Sequence, residues 1–193
     1  MRVTFQTGFI DRKAPQDSRI EELKYWCVRF HELKLTPPYR GSSMGNLSFR
    51  LKEGYNSFII TASELRVKDN LTDDMFVTVH SCDMKKGTSL ASGLKEPSSE
   101  SILHHEIYRK RKDVGAIFHG HSKIILNHGG KLNITTTRTK DKPASVALVE
   151  SVLDILGNES FLIMRSHGFL SLGKDMKEAG EHAVKIYEKC DNC

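Results

Sequence analysis

What most constrains the fold of this chain is the way its hydrophobic period changes along its length. "DSRIEELKYWCVRFHELKL" spaces Ile20, Leu23, Cys27, Phe30 and Leu33 at helical intervals, and Trp26 widens the same face. It opens with Ser18 and, three residues on, Glu21, the pattern of a capping box. After "LTPPYRGSS" the period shortens: "NLSFRL", a "KEGYN" turn and "SFIIT" read as a hairpin, and "MFVTVHS" as another strand. Helical spacing returns from about Ser99 to Lys110, where Ile102, Leu103 and Ile107 make one apolar side and Ser98 is placed to cap it. "SKIILNHGGK" reads as a short helix stopped by Gly129-Gly130, and "PASVALVESVLDILG" as a helix between Pro143 and Gly157. "SFLIMRSHG" is a buried strand and "KDMKEAGEHAVKIYEKC" a closing amphipathic helix. Such an alternation calls for an α/β layered domain with helices covering a sheet.

At 193 residues the chain suits one globular unit, 1–193. No apolar run approaches the ~20 residues of a membrane span, and "VTFQTGFIDRK" lacks the apolar core of a secretory signal, so the expected compartment is the cytoplasm. Cys27, Cys82, Cys190 and Cys193 are too few and scattered for a disulfide framework, and the terminal "CDNC" reads as inert. A net charge of +5 favours an anionic ligand. The basic residues are spread rather than clustered, which disfavours nucleic acid and leaves a phosphorylated metabolite as the better fit.

"DVGAIFHGHS" carries the chemistry. Its apolar run ends in His119 and His121, and residues i and i+2 of a strand share a face, so the two imidazoles converge. His167, in "IMRSHGF", again ends an apolar run. Three such histidines suit a zinc tripod with an open fourth position, as catalytic zinc requires. Glu100, in "EPSSE", is a carboxylate able to carry a proton beside a divalent cation; read alone it is an acid favoured by a helix start. Ser98 and Ser99 offer hydroxyls and N–H groups to a phosphate, or are merely a cap. "GSSMGNLSFR" adds small donors and Asn46, with Arg50 as a candidate charge, and "IITASE" adds Thr61 and Ser63; the same residues also make ordinary turns.

In order and register, "GNLSFR", "IITAS", "PSSE", "LHHEIYRKRKDVGAIFHGHS" and "IMRSHGFLSLGKDMKEAGEHA" resemble the class II aldolase and adducin family over roughly residues 18–188, with 1–17 as an N-terminal extension. The resemblance implies a three-layer α/β/α fold with a mostly antiparallel central sheet, assembled as a homo-oligomer, commonly a cyclic tetramer. It implies that His119, His121 and His167 hold Zn2+ or another divalent cation, and that Glu100 is the acid/base and completes the metal shell when no substrate is bound. Asn46, Ser63, Ser98 and Ser99 would line the phosphate pocket. The implied reaction is reversible cleavage of a small phosphorylated ketose, of the fuculose-1-phosphate type, to dihydroxyacetone phosphate and an aldehyde through a metal-stabilised enediolate. Dehydratases, decarboxylases and epimerases of the family are alternatives, although epimerases usually carry aspartate where Glu100 stands. Adducin-type members keep the fold as an interaction module and lose the metal ligands retained here. Glu64 follows Ser63 where many members have glycine, and Met44 precedes the G-N pair where glycine is also common. Residues 122–160 contain no counterpart of the tyrosine that aldolases lend a neighbouring subunit, and the tail beyond Tyr187 is short. His31, His80, His104, His105, His128 and His182 are read as structural, with one of His104 and His105 meeting solvent.

Overall fold

The structure, a computed structural model, describes residues 6–65 and 70–192. β1 (Gln6–Asp11) precedes α1 (Ile20–Glu32), and β2 (Pro38–Tyr39) and β3 (Ser42–Ser43) form a small hairpin. A meander follows of β4 (Asn46–Arg50), β5 (Phe58–Thr61), β6 (Phe76–Asp83) and β7 (Thr88–Ser92). α2 (Ser101–Lys110) leads into β8 (Ala116–Gly120), then α3 (Lys123–His128) and α4 (Val146–Ile155), and the chain closes with β9 (Phe161–Met164), β10 (Gly168–Gly173) and α5 (Met176–Asp191).

Eight strands make one sheet in the order β1-β7-β6-β5-β4-β8-β10-β9, antiparallel at every pairing except β1 with β7. Alternation along the strands assigns the layers. Leu47 and Phe49 of β4 and Phe118 of β8 join α1, α3 and α5 in one apolar cluster, where Phe30 meets Phe118 edge-on at 5.5 Å. Ile117 of β8, Leu170 and Leu172 of β10 and Leu162 of β9 join α2 and α4 in the other. The sheet therefore lies between two helical layers, as the resemblance implies. Emptying the space of a ring like that of Phe118, fully buried at the first interface, costs about 3–5 kcal/mol.

The sequence-based elements hold with shifts at their ends. The capping box at Ser18 does not form: α1 starts at Ile20, and Asp17 instead accepts the Arg19 N–H at 3.0 Å and its guanidinium at 2.9 and 2.6 Å. An aspartate that near a guanidinium is the stronger acceptor, and it takes over the turn. Ser98 does not cap α2, which begins at Ser101 with Glu100 in the cap position. Ser98 shapes the preceding turn, accepting from Ser101 N at 3.0 Å and Ser101 Oγ at 2.6 Å. α3 ends at His128 with Gly129 in its C-cap position, as read from the sequence; the chain then continues as a 3-10 turn to Leu132, which Asn133, at φ 53°, ends. Ser145 does cap α4, accepting from Leu148 N at 3.1 Å. β7 and β10 were not read from the sequence, because "TSLAS" is mostly polar and "GFLSLG" is bounded by glycines. Residues 6–11 of the extension form edge strand β1; residues 1–5, and Cys193 of the "CDNC" pair, lie outside the described residues.

Candidate active site

The centre of the sheet gathers what the chain separates. β4 and β8 pair with Asn46 opposite His119, and β8 and β10 pair with Leu170 opposite His119, so the turn that carries His167 lies beside the end of β8. Two glycines permit this closeness. A Cβ on Gly168 would stand 2.4 Å from Gly120 O and 2.8 Å from the His119 ring, and one on Gly45, at φ +76°, would stand 2.5 Å from His119 O.

The result is a cluster in which His119, His121 and His167 present ligand atoms all within 4.8 Å of one another. Their ring centroids are 4.6–5.0 Å apart. Glu100, 6% exposed, reaches in from the start of α2, with Oε2 3.1 Å from His119 Nε2 and Oε1 3.3 Å from His167 Nε2. Asn46 donates through Nδ2 to Glu100 Oε2 at 2.9 Å.

The donor set fits a divalent cation. His119 Nδ1 lies 2.8 Å from the Phe169 carbonyl, which can only accept, so Nδ1 carries a hydrogen and Nε2 is the nitrogen turned toward the cluster as the ligand atom. A carboxylate oxygen lies 3.1 Å from that nitrogen, so the two groups are close enough to share a cation as ligands. Asn46 Oδ1, Glu100 Oε1 and His167 Nδ1 are buried without a hydrogen bond, a concentration of unmet polar atoms that marks ligand sites rather than packing.

Above the cluster opens a cavity of about 290 Å³ lined by Asn46, Ser63, Ser98, Ser99, Glu100, His121 and His167. Seven residues singled out from the sequence, Asn46, Ser63, Ser98, Ser99, Glu100, His121 and His167, thus border the cavity, and His119 borders the carboxylate in it. Ser43, one of the small donors read in "GSSMGNLSFR", also lines it, and so does Tyr39 of the β2–β3 hairpin, which the sequence reading did not include; the turn signature "PPYRGSS" shortly before the G-N pair was the available signal. Glu64 lies on the exposed rim at φ 57°, a left-handed conformation that glycine adopts without strain. Ser166 beside His167 (φ 61°) and Ala144 beside Pro143 (φ 52°) are left-handed too, so backbone strain gathers around this cavity.

Three sequence readings fail here. Arg50 supplies no charge to the cavity: it sits at the far end of β4, donating to the carbonyls of Val114, Tyr55, Tyr108 and Arg111. Thr61 turns its hydroxyl to the backbone, accepting from Leu47 N at 3.3 Å. Neither His104 nor His105 meets solvent. His105 is 6% exposed beside Glu106, and burial lowers its pKa, while burial pushes the His104 imidazole down to about 4.

Comparison with known proteins places the fold and the family. Over 98 residues, 44% of the chain, it is 34% identical to the L-fuculose phosphate aldolase of Methanocaldococcus jannaschii, and the match spans only 53% of that protein. It is 24% identical to the methylthioribulose-1-phosphate dehydratase of Xanthomonas campestris pv. campestris, across 89% of this chain and 92% of the relative. The fold matches the sugar-phosphate aldolase from Thermotoga maritima with a TM-score of 0.71 at 18% identity, covering 89% of this chain and 91% of the other. Residues 21–192 match the model of the Class II Aldolase and Adducin N-terminal domain, and the chain belongs to that family.

Proposed function

We propose that the chain is a zinc-dependent aldolase that reversibly cleaves a small ketose phosphate, of the fuculose-1-phosphate type, to dihydroxyacetone phosphate and an aldehyde. One observation carries this reading: a buried carboxylate with an unbonded oxygen stands among three converging imidazoles at the floor of a hydroxyl-lined cavity. His119, His121 and His167 would hold the cation, which when bound would supply Lewis-acid polarisation of the substrate's carbonyl and adjacent hydroxyl.

The residues of the chain do the rest. Glu100 takes a proton from the carbon beside the carbonyl in the condensation direction and returns it to that carbon in cleavage. Asn46 holds Glu100 Oε2, leaving Oε1 for the proton. Ser63, Ser98 and Ser99, with Asn46, bind the phosphate through hydroxyl and amide donors. The working protein in this reading is a homo-oligomer, a tetramer, in the cytoplasm; no described helix is long and apolar enough to cross a membrane.

Dehydration of a ketose phosphate is the second reading, favoured by the dehydratase relative that matches over most of both chains. There Glu100 removes the same kind of proton and a neighbouring hydroxyl leaves. Exchange of the α-proton of dihydroxyacetone phosphate in heavy water, followed by NMR with and without a chelator, separates the two. Chelator-sensitive exchange is expected of the aldolase. Its absence from zinc-loaded protein removes the aldolase reading and puts the dehydratase first.

A further inference from the structure

α2, in the second helical layer, lies over β4 of the sheet, and their polar residues match rung for rung. On β4 the residues facing α2 are Asn46, Ser48 and Arg50, at i, i+2 and i+4; on α2 the residues meeting them are Glu100, His104 and Tyr108, at i, i+4 and i+8. Asn46 Nδ2 bonds Glu100 Oε2 at 2.9 Å. Ser48 Oγ lies 2.7 Å from His104 Nδ1 and 2.9 Å from the Tyr108 hydroxyl. Arg50 donates to Tyr108 O at 3.0 Å and lies over the Tyr108 ring, 4.6 Å from its centroid. Two strand residues advance about 6.7 Å and four helical residues about 6 Å, so the two repeats stay nearly in step over three rungs.

All six side chains are buried, at 0–6% exposure. Apolar burial alone would allow a helix to slide or turn on a sheet, because it is non-directional, whereas hydrogen bonds fix distance and angle. His104 has no other way to contribute polar character: its Nε2 is buried without a hydrogen bond and its ring lies against Phe58, at 6.3 Å between centroids.

We propose that Ser48, His104 and Tyr108 are positioning residues: the buried ladder they complete sets the height and rotation of α2 on β4, and so sets where the Glu100 carboxylate stands among the three histidines. The inference rests on the reading of Glu100 as part of the metal site. Ser48 is the node, since it serves two rungs, and loss of its hydroxyl loosens Glu100 without touching any histidine of the tripod.

The test is zinc affinity, measured on the full chain by competition with a chromogenic chelator, in a cycle that combines Ser48→Ala with Glu100→Gln. Partners that orient a metal ligand typically carry tenfold or more in affinity, so Ser48→Ala is expected to weaken zinc about tenfold in the Glu100 chain and less than about twofold in the Glu100→Gln chain. Tyr108→Phe, which keeps the ring and removes one bond, is expected to act in the same direction more weakly. His104→Gln, whose amide can still reach Ser48, should stay nearer the wild type than His104→Leu. Equal weakening in both Glu100 backgrounds, or no weakening in either, overturns the ladder and leaves the zinc site standing. A wild-type chain that binds no zinc overturns the site reading and the ladder together.

Discussion

The two ends of β4 are equally buried, with Asn46 and Arg50 each 4% exposed, yet they treat polar groups in opposite ways. At the Arg50 end a guanidinium meets four backbone carbonyls from three segments, and burial lowers its pKa without costing it partners. At the Asn46 end, four residues away, Asn46 Oδ1 and Glu100 Oε1 have no hydrogen bond, and a carboxylate faces an imidazole nitrogen. Satisfied burial ties loops to the sheet. Unsatisfied burial is stable only because the rest of the fold over-determines it, and it holds interactions in reserve for a ligand. The strand thus joins a structural pole to a chemical one.

If the poles differ in this way, variants at them should fail differently. His121→Ala removes one leg of the tripod; the protein should lose its metal after dialysis, measured by mass spectrometry, and its α-proton exchange should fall to background. Glu100→Gln should keep the metal and lower exchange by about 10²–10⁴-fold, the usual share of a general acid or base. Its amide can donate to His119 Nε2, so the metal-free variant should melt no lower than the wild type. Arg50→Met should do the reverse, stripping several buried carbonyls of their donor and costing about 3 kcal/mol or more in urea unfolding. Metal-free Glu100→Gln protein destabilised as much as Arg50→Met would erase the distinction between the two ends.

His104, between the poles, sharpens the comparison through pH. Its ring is held neutral by burial: the unfolded chain takes up a proton below about pH 6.5, the folded chain only below about 4. Stability of the metal-free protein should therefore fall as pH drops through that window, by about 3 kcal/mol in all, and this contribution should be level below it. Urea melts at pH 7.5 and 4.5 should show the loss shrinking in His104→Gln. At the rim the effect is smallest: Glu64→Gly, which relieves a left-handed backbone, should leave stability within about 1 kcal/mol of the wild type or raise it slightly. A clear loss would mean that Glu64 makes a contact worth more than its strain.

Much of this site was legible before folding was considered. The i, i+2 spacing of His119 and His121 fixes a shared face once the run before them is a strand, and Glu100, Ser98 and Ser99 lie within a few residues of a helix start. The apolar intervals of α1 and α5 likewise define the faces they bury, because a period of 3.6 needs no partner to be recognised. Element ends were less legible, as at Ser18 and Ser98, where competing acceptors a residue or two away decide which hydroxyl is used. Arg50 read as ligand charge for the same reason: local sequence shows a side chain's chemistry and not which carbonyls surround it.

The order of residues alone determined the kinds of donor available, three imidazoles, a carboxylate and a set of hydroxyls, and the faces on which strands and helices present them. Only the tertiary structure decided that β4, β8 and β10 are neighbours, that Asn46 stands opposite His119, and that the two ends of β4 part company. Strand order and register arise from pairing between segments tens of residues apart, and no local period encodes them.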